Sequence, residues 1–292
     1  MNVAIPKYFD TKKELLEFGN RFVQYVYDDC IDNYFVIYDL KTEARTNFGR
    51  GVKKIVHTFS EKQLEMVKVL TRKVSFYTAA IELDFLDRHT EYKVMIERDD
   101  GDRIALSENS NRLREDILGS NGLIDLMAKH KVDWETDSCP LNMQCQEGYA
   151  ERVLEKDIPK YYTSRPALMK FGKESVQEIY DYAIDRWYAV LEGTEWNIYY
   201  QELIKVFSTE QIEALKSLIV SIVGDSFLRF TGLFESFDYW LVMSQAEEII
   251  HISMTDPEDK DFERNELSFD MHDTEEDGII NLFSKYGIHE LV

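Results

Sequence analysis

Apolar residues recur at intervals of three and four in two long stretches of the chain, and this spacing predicts two amphipathic helices. The first is expected near residues 11–31, with Thr11 as its N-cap, and the second near 164–190, starting at Ser164 with Pro166 just inside. The stripes consist of Leu15, Phe18, Phe22, Val26 and Cys30 in the first helix and Val176, Ile179, Tyr180, Ala183, Ile184 and Trp187 in the second.

Runs of β-branched and aromatic residues predict strands between and after these helices. The predicted strands are 34–40, 74–86, 91–99 and 102–108 in the first half of the chain and 225–234, 238–244 and 247–254 in the second. Asp100 and Gly101 form a hairpin turn signal between two of them.

Two further helices are predicted from their starting residues. Ser60 and Ser208 are each followed three residues later by a glutamine and then by an apolar run, which is a capping-box signature. A last helix is predicted to open at Asn121 in the first half and at Asp277 in the second. The predicted class is therefore α+β, with helices packed on one face of a small antiparallel sheet.

The order of these elements repeats along the chain. Residues 5–32 and 158–185 share 13 identities in 28 positions at an offset of 153. Residues 59–70 match 207–218 at an offset of 148, and 121–130 match 277–286 at an offset of 156. A period this long indicates a tandem duplication of one α+β unit and not a solenoid. We predict repeat 1 at 1–130, a linker at 131–156 that contains a short helix at 148–156, and repeat 2 at 157–292.

Composition indicates a folded chain that lies in the cytoplasm. Hydrophobic residues make up 44% of the 292 positions, and no window reaches the 18 or so uncharged apolar residues of a membrane span. The N-terminus lacks the apolar core of a signal peptide. Three cysteines (Cys30, Cys139 and Cys145) fit a reducing compartment better than a disulfide framework.

The net charge of −21 argues against direct binding to nucleic acid, because phosphate contacts need clustered Lys and Arg. The charge is uneven: residues 1–150 carry 26 acidic and 21 basic residues, a net of −5, whereas 151–292 carry 29 and 13, a net of −16. The acidity is therefore a property of repeat 2 and not of the shared unit.

The acidic segment, residues 256–277, is the sharpest difference between the repeats, and its interleaved aromatic residues and Met271 are typical of interface anchors surrounded by carboxylates. We predict that it binds a basic surface on another protein. The alternative is a solvated loop. The candidate partner-binding residues are Asp256, Glu258, Asp259, Asp261, Phe262, Glu263, Glu266, Phe269, Asp270, Met271, Asp273, Glu275, Glu276 and Asp277.

Two carboxylate pairs, Asp28 with Asp32 and Asp181 with Asp185, lie four residues apart and so share a helix face. Such a pair suits acid–base chemistry or a metal, but a solvated polar face explains it more simply. Burial in a cleft would favour the first interpretation, and exposure to solvent the second.

Other motifs give no catalytic set, metal or cofactor. Asp273, Glu275 and Asp277 resemble the start of an EF-hand loop, but Ser284 stands where the bidentate Glu is needed. Cys139 and Cys145 lack zinc-ligand partners, and the histidines are scattered. The IPKY segments that open both repeats are interpreted as arms folded onto their own units, or as recognition arms.

The sequence therefore favours a non-catalytic inhibitor that occludes a basic surface, such as that of a nuclease or another nucleic-acid-binding protein. In acidity, size and lack of catalytic motifs it resembles bacterial toxin-immunity proteins and phage-encoded inhibitors of DNA-targeting defence. Two alternatives remain open: a structural protein that assembles into a homo-oligomer, and a hydrolase-type enzyme that uses the helix carboxylate pairs. No membrane partner is expected.

Overall fold

A computed structural model gives a helix-rich α+β protein with one small antiparallel sheet. The structure describes residues 12–39, 41, 43, 46–97, 103–108, 110, 112–119, 122–132, 166–194, 200, 204–236, 239–245 and 248–252. We refer to the described residues up to 132 as the first half and to those from 166 onward as the second half.

The first half contains six described α-helices and two strands. The helices are α1 (Lys13–Phe22), α2 (Asp29–Tyr38), α3 (Asn47–Val56), α4 (Glu61–Arg88), α5 (Leu113–Leu118) and α6 (Leu123–Met127). The strands are β1 (Tyr92–Glu97) and β2 (Arg103–Ala105), the second of which runs into a 3-10 turn at Leu106–Glu108. A π-helical segment, π1 (Val23–Asp28), joins α1 to α2 in one continuous rod.

The second half contains the helices α7 (Pro166–Ser175), α8 (Tyr182–Leu191) and α9 (Thr209–Ser236), with π2 (Val176–Asp181) joining α7 to α8. Its strands are β3 (Tyr239–Gln245) and β4 (Glu248–Ile252). The helix α7 begins at Pro166, two residues after the start predicted at Ser164. The predicted strands at 91–99, 102–108, 238–244 and 247–254 are confirmed, the second of these over three residues only.

The predicted strands at 34–40, 74–86 and 225–234 are wrong, because these residues continue helices. Residues 34–38 end α2, and residues 74–86 and 225–234 lie in α4 and α9. All positions from 73 to 83 in α4 are buried. A helix buried on every side has no polar face, so its run of aromatic and β-branched residues imitates a strand.

The sheet is shared by both halves, with strand order β2-β1-β3-β4 and antiparallel pairing throughout. The central pair is β1 with β3, in a register that places Tyr92 opposite Met243 and Met95 opposite Trp240. The hydrophobic core is also continuous, since buried residues from both halves belong to one cluster. Trp187 of α8, for example, packs edge-on against Tyr77 of α4.

The two 28-residue helices, α4 and α9, pack side by side and run in the same direction. Their first turns meet where the Gln63 side chain donates to Gln211 at 2.8 Å, and their later turns meet where the Ser226 hydroxyl donates to Glu82 at 3.2 Å. The capping boxes predicted at Ser60 and Ser208 are both confirmed, since each serine and its glutamine exchange hydrogen bonds.

Residues Thr209–Phe234 of α9 are long and apolar enough to cross a membrane, by length and composition. In the fold, 78% of that apolar stretch is buried inside the protein, packed on α4 and its neighbours. The core therefore accounts for its hydrophobicity.

One glycine has a clear packing reason. Gly19 of α1 lies beneath α6, and a Cβ atom at this position would collide with the Leu123 side chain. The close approach of the two helices therefore depends on the missing side chain.

Candidate functional site

The partner-binding residues predicted at 256–277 all lie outside the described residues, as do the IPKY segments, Cys139, Cys145 and the 148–156 helix of the predicted linker. Their proposed roles stay predictions from sequence. The carboxylate pairs and the charged residues around the sheet are described, and they can be placed.

Asp28 does not lie on a solvated face, so that interpretation is wrong for this residue. Its side chain is buried at the end of π1, where its two oxygens accept the backbone N–H groups of Lys129 at 2.7 Å and His130 at 2.9 Å. Burial raises the pKa of Asp28, and the two backbone hydrogen bonds offset only part of that rise. The carboxylate therefore ties the segment after α6 to the first helical rod.

Asp32 lies one turn further along and is half-buried. It accepts hydrogen bonds from the Lys129 ammonium at 2.6 Å and from His130 Nε2 at 2.8 Å. Burial raises the pKa of Asp32, but these two hydrogen bonds lower it by more, so the pKa lies below its usual value. Both carboxylates of the pair are thus engaged by the same two residues.

A cavity of about 420 Å³ lies beside this pair. Besides Asp28, Asp32 and Lys129 it is lined by Arg21, Gln24, Tyr25, Asp29 and Met127. The lining includes no Ser, Thr, Cys or His side chain, and the oxygens of Asp28 and Asp32 already have partners. The cavity therefore offers no side chain of the usual Ser, Thr or Cys nucleophile types and no His base, although the carboxylate pair does border a cleft.

The second carboxylate pair behaves in part like the first. Asp181 is fully buried, at the end of π2, so the solvated interpretation is wrong for it as well. Asp185, one turn further, is half-buried.

Sequence reasoning missed a group of six charged side chains where the first half meets the second, which we name the junction cluster. Its members are Arg88 at the end of α4, His89 and Glu91 between α4 and β1, and Lys170, Glu174 and Glu178 on α7 and π2. The two groups are about 80–90 positions apart in sequence, so no local spacing connects them. A comparison of repeats would have shown that Glu17, Arg21 and Tyr25 occupy the matching positions on α1 and π1.

Glu178 is the most buried carboxylate of the junction cluster. It accepts hydrogen bonds from Arg88 at 2.8 Å and from His89 Nε2 at 3.0 Å. Burial raises the pKa of Glu178, but the hydrogen bonds from His89 and Arg88 lower it by more, so the pKa lies below its ordinary value. Burial lowers the pKa of His89, but the hydrogen bond and the negative charge of Glu178 raise it by more, so the pKa of His89 is raised overall.

Lys170 occupies the other side of the junction cluster. Its ammonium lies 2.7 Å from Glu91 and 3.6 Å from Glu174, above the ring of Tyr92. The Tyr92 hydroxyl donates to Glu174 at 2.6 Å. Beneath these charges Phe85, Tyr92 and Phe171 form an aromatic layer with ring centroids 5.3–6.0 Å apart. The cluster is therefore a paired network on an apolar base.

Glu82 is a third titratable feature, and it lies in the core between α4 and α9. It is completely buried, and among the described residues its Oε2 atom has no hydrogen-bond partner. Burial raises the pKa of Glu82 well above its ordinary value.

Comparisons of the chain with protein families, with curated proteins and with solved structures gave no match.

Proposed function

We propose that the chain is a tandem duplication of one α+β unit, folded so that the two copies share a core and a sheet. The described elements support this by their bounds. At an offset of 153, α1, π1 and α2 coincide at both ends with α7, π2 and α8, and at an offset of 148 α4 coincides with α9. Two units of unrelated origin would not be expected to begin and end these four helical segments at matching residues.

Contacts between the halves support the same proposal because they are reciprocal. Gln63 donates to the carbonyl of Val206, and Gln211 donates to the carbonyl of Thr58, which is the matching residue. Phe59 packs against its own counterpart, Phe207, at 5.6 Å. Reciprocal contacts of this kind are the property of a two-fold interface.

We further propose that the protein is a non-catalytic inhibitor whose acidic second repeat binds a basic surface of another protein. The observation that carries this proposal is the difference in charge along the chain, a net of −5 for residues 1–150 and of −16 for residues 151–292, which include the second repeat. A nuclease or another nucleic-acid-binding protein is the natural partner class, because its phosphate-binding groove accepts an array of carboxylates.

The described residues support a binding role by what their carboxylates do. Asp28 and Asp32 hold Lys129 and His130, and the junction cluster pairs its glutamates with Arg88, His89 and Lys170. These carboxylates therefore have structural partners. The acids of 256–277 are the largest excess of charge left in the sequence, with 11 acidic residues against Lys260 and Arg264.

The mechanism would be steric occlusion of the partner's groove. Long-range attraction by the carboxylates would raise the association rate, and Phe262, Phe269 and Met271 would lengthen the lifetime of the complex. In this proposal the inhibitor acts in the cytoplasm and needs no cofactor.

The test is binding of the full chain to a partner captured from its host, measured over a range of salt concentrations. Replacing Asp256, Asp259, Asp261, Asp270 and Asp273 by Asn should weaken binding about tenfold or more and flatten its salt dependence, because steering charges are screened by ions. The matched control replaces five exposed acids of the described helices and turns by amides: Glu17, Glu61, Glu65, Glu192 and Glu213. Equal affinity for both variants, or no salt dependence in the wild type, would rule out the proposal.

A further inference from the structure

We propose that the junction cluster is a binding site for a divalent transition-metal ion, with His89, Glu91 and Glu174 as its ligands. One ligand atom from each of the three lies within 4.8 Å of the other two. Among the described residues this is the one group of three His, Cys, Asp or Glu side chains that comes so close. One imidazole and two carboxylates suit Zn²⁺ and its first-row neighbours better than Mg²⁺, which prefers oxygen ligands alone.

The orientation of His89 supports this assignment independently. Its Nε2 atom lies 3.0 Å from Glu178, while its Nδ1 atom faces Glu91 at 3.6 Å. Histidines that bind metals almost always give their other ring N–H to a carboxylate, which fixes the tautomer and the ring. Glu178 is itself held by Arg88 at 2.8 Å, and the His89 ring packs on Phe85 with centroids 4.3 Å apart. Nδ1 is therefore left to face Glu91.

Lys170 shows that the space between Glu91 and Glu174 attracts a cation. Its ammonium lies 2.7 Å and 3.6 Å from the two carboxylates, while 45% of its side chain is exposed. A partly exposed lysine on a flexible stem can move into solvent when a metal takes its place. Tyr92 would remain hydrogen-bonded to Glu174 and hold that ligand in position.

The three ligands come from different parts of the fold, which makes the site a property of the assembled molecule. His89 and Glu91 lie in the turn between α4 and β1, and Glu174 lies on α7. A bound metal would then connect the first half to the second. Residues at the matching positions in the other copy are Phe237, Tyr239 and Arg21, so only one such site is expected per chain.

Calorimetric titration of the full chain with ZnCl₂ tests the proposal, with thermal unfolding as a second readout. We expect binding of Zn²⁺ and a rise in Tm, with no comparable response to MgCl₂. His89→Ala should weaken Zn²⁺ binding at least a hundredfold, and Glu178→Gln about 10–100-fold, as for other residues that orient a ligand. His57→Ala, an exposed histidine on the turn after α3, is the matched control and should bind as the wild type does.

Lys170→Met separates a metal site from a purely structural network. Because Lys170 competes with the ion for Glu91 and Glu174, removing its charge should tighten Zn²⁺ binding about tenfold or more, whereas loss of a structural ion pair would leave it unchanged or weaker. Equal Zn²⁺ affinity of the wild type and His89→Ala would overturn the proposal, because binding would then occur elsewhere in the chain. Unchanged or weaker binding by Lys170→Met would overturn it as well.

Discussion

Glu82 is the residue whose environment conflicts most with its chemistry. It lies in a core position between α4 and α9, with one oxygen bonded to Ser226 and the other without a partner among the described residues. The matching position 148 residues later is Phe230, which is also fully buried. An apolar residue therefore suits this position in the second half. In the first half, Glu82 destabilises the fold once its side chain has to ionise.

We predict that Glu82→Gln stabilises the protein increasingly as pH rises. The raised pKa means that the folded state keeps the proton while the unfolded state loses it above about pH 4.5. The stability of the wild type is therefore fully present below that pH and falls, relative to the variant, by about 1.4 kcal/mol per pH unit up to the folded-state pKa. Urea unfolding of both proteins at several pH values between 5 and 8 measures the difference.

Glu65→Gln is the control for this prediction, because Glu65 is exposed on the same helix. Its difference from the wild type should stay within about 0.5 kcal/mol at every pH, as for most surface substitutions. A constant difference between the wild type and Glu82→Gln across this pH range would show that Glu82 does not hold its proton.

Asp28 shows what sequence can and cannot give at this scale. Its helical position and its pairing with Asp32 could be predicted, because both follow from local spacing. Its burial could not, because it depends on backbone N–H groups more than a hundred residues away. The junction cluster was missed for the same reason, whereas the 256–277 prediction rests on composition alone and lies outside the described residues.

At the scale of elements, capping residues at helix starts predicted secondary structure better than the β-branched and aromatic composition of the segments did. Ser60 and Ser208 correctly marked the first turns of α4 and α9 because capping is a local hydrogen-bond pattern. The interiors of the same helices were predicted as strands, since aromatic and β-branched residues favour strands at a half-buried surface. Packing of α4 against α9 decided the outcome, and no pattern within either helix records that neighbour.

We predict that Gln63→Ala and Gln211→Ala have equal effects and are coupled. Each substitution removes half of a capping box and a hydrogen bond to the other half, so each should lower the free energy of unfolding by about 1–2 kcal/mol. Because the two side chains bond each other at 2.8 Å, the double variant should deviate from additivity by about 0.5 kcal/mol or more. Chemical denaturation of the four proteins completes this cycle.

Ser60→Ala and Ser208→Ala provide the comparison, because the described hydrogen bonds of these two serine side chains stay within their own halves, whereas each glutamine also bonds to the other half. Their effects should add within about 0.5 kcal/mol. Additive glutamine effects, or very unequal ones, would count against a symmetric contact at this end of the helices.

At the scale of the whole molecule, the central strand pairing is self-complementary. Tyr92 matches Trp240 and Met95 matches Met243 at the offset of 148, and the register pairs Tyr92 with Met243 and Met95 with Trp240. Two copies of β1 could therefore pair with each other in the same register. The proposed duplication thus corresponds to a dimer joined into one chain.

We predict that residues 1–132 expressed alone form a homodimer. Without β3 and α9, the inner edge of β1 and the apolar face of α4 lack partners, and a second copy supplies equivalent ones. Light scattering coupled to size exclusion measures the mass, and circular dichroism checks the fold.

Val94→Pro in the same fragment should abolish the dimer, because proline removes a strand N–H and clashes in a central pairing. A folded, monomeric fragment over a wide concentration range would contradict the predicted symmetry and would make each half an independent unit.

The pairing of β1 with β3 also has a consequence during synthesis. Tyr92 pairs with Met243, which is 151 positions later in the chain. Synthesis of that stretch takes about 8–30 s at a translation rate of about 5–20 residues per second. For that interval the inner edge of β1 has no partner on its own chain. Neighbouring ribosomes on one message present the same edge in the same self-complementary register. During that interval newly made chains can pair wrongly at this strand, and a chaperone that covers it would act before the second half emerges.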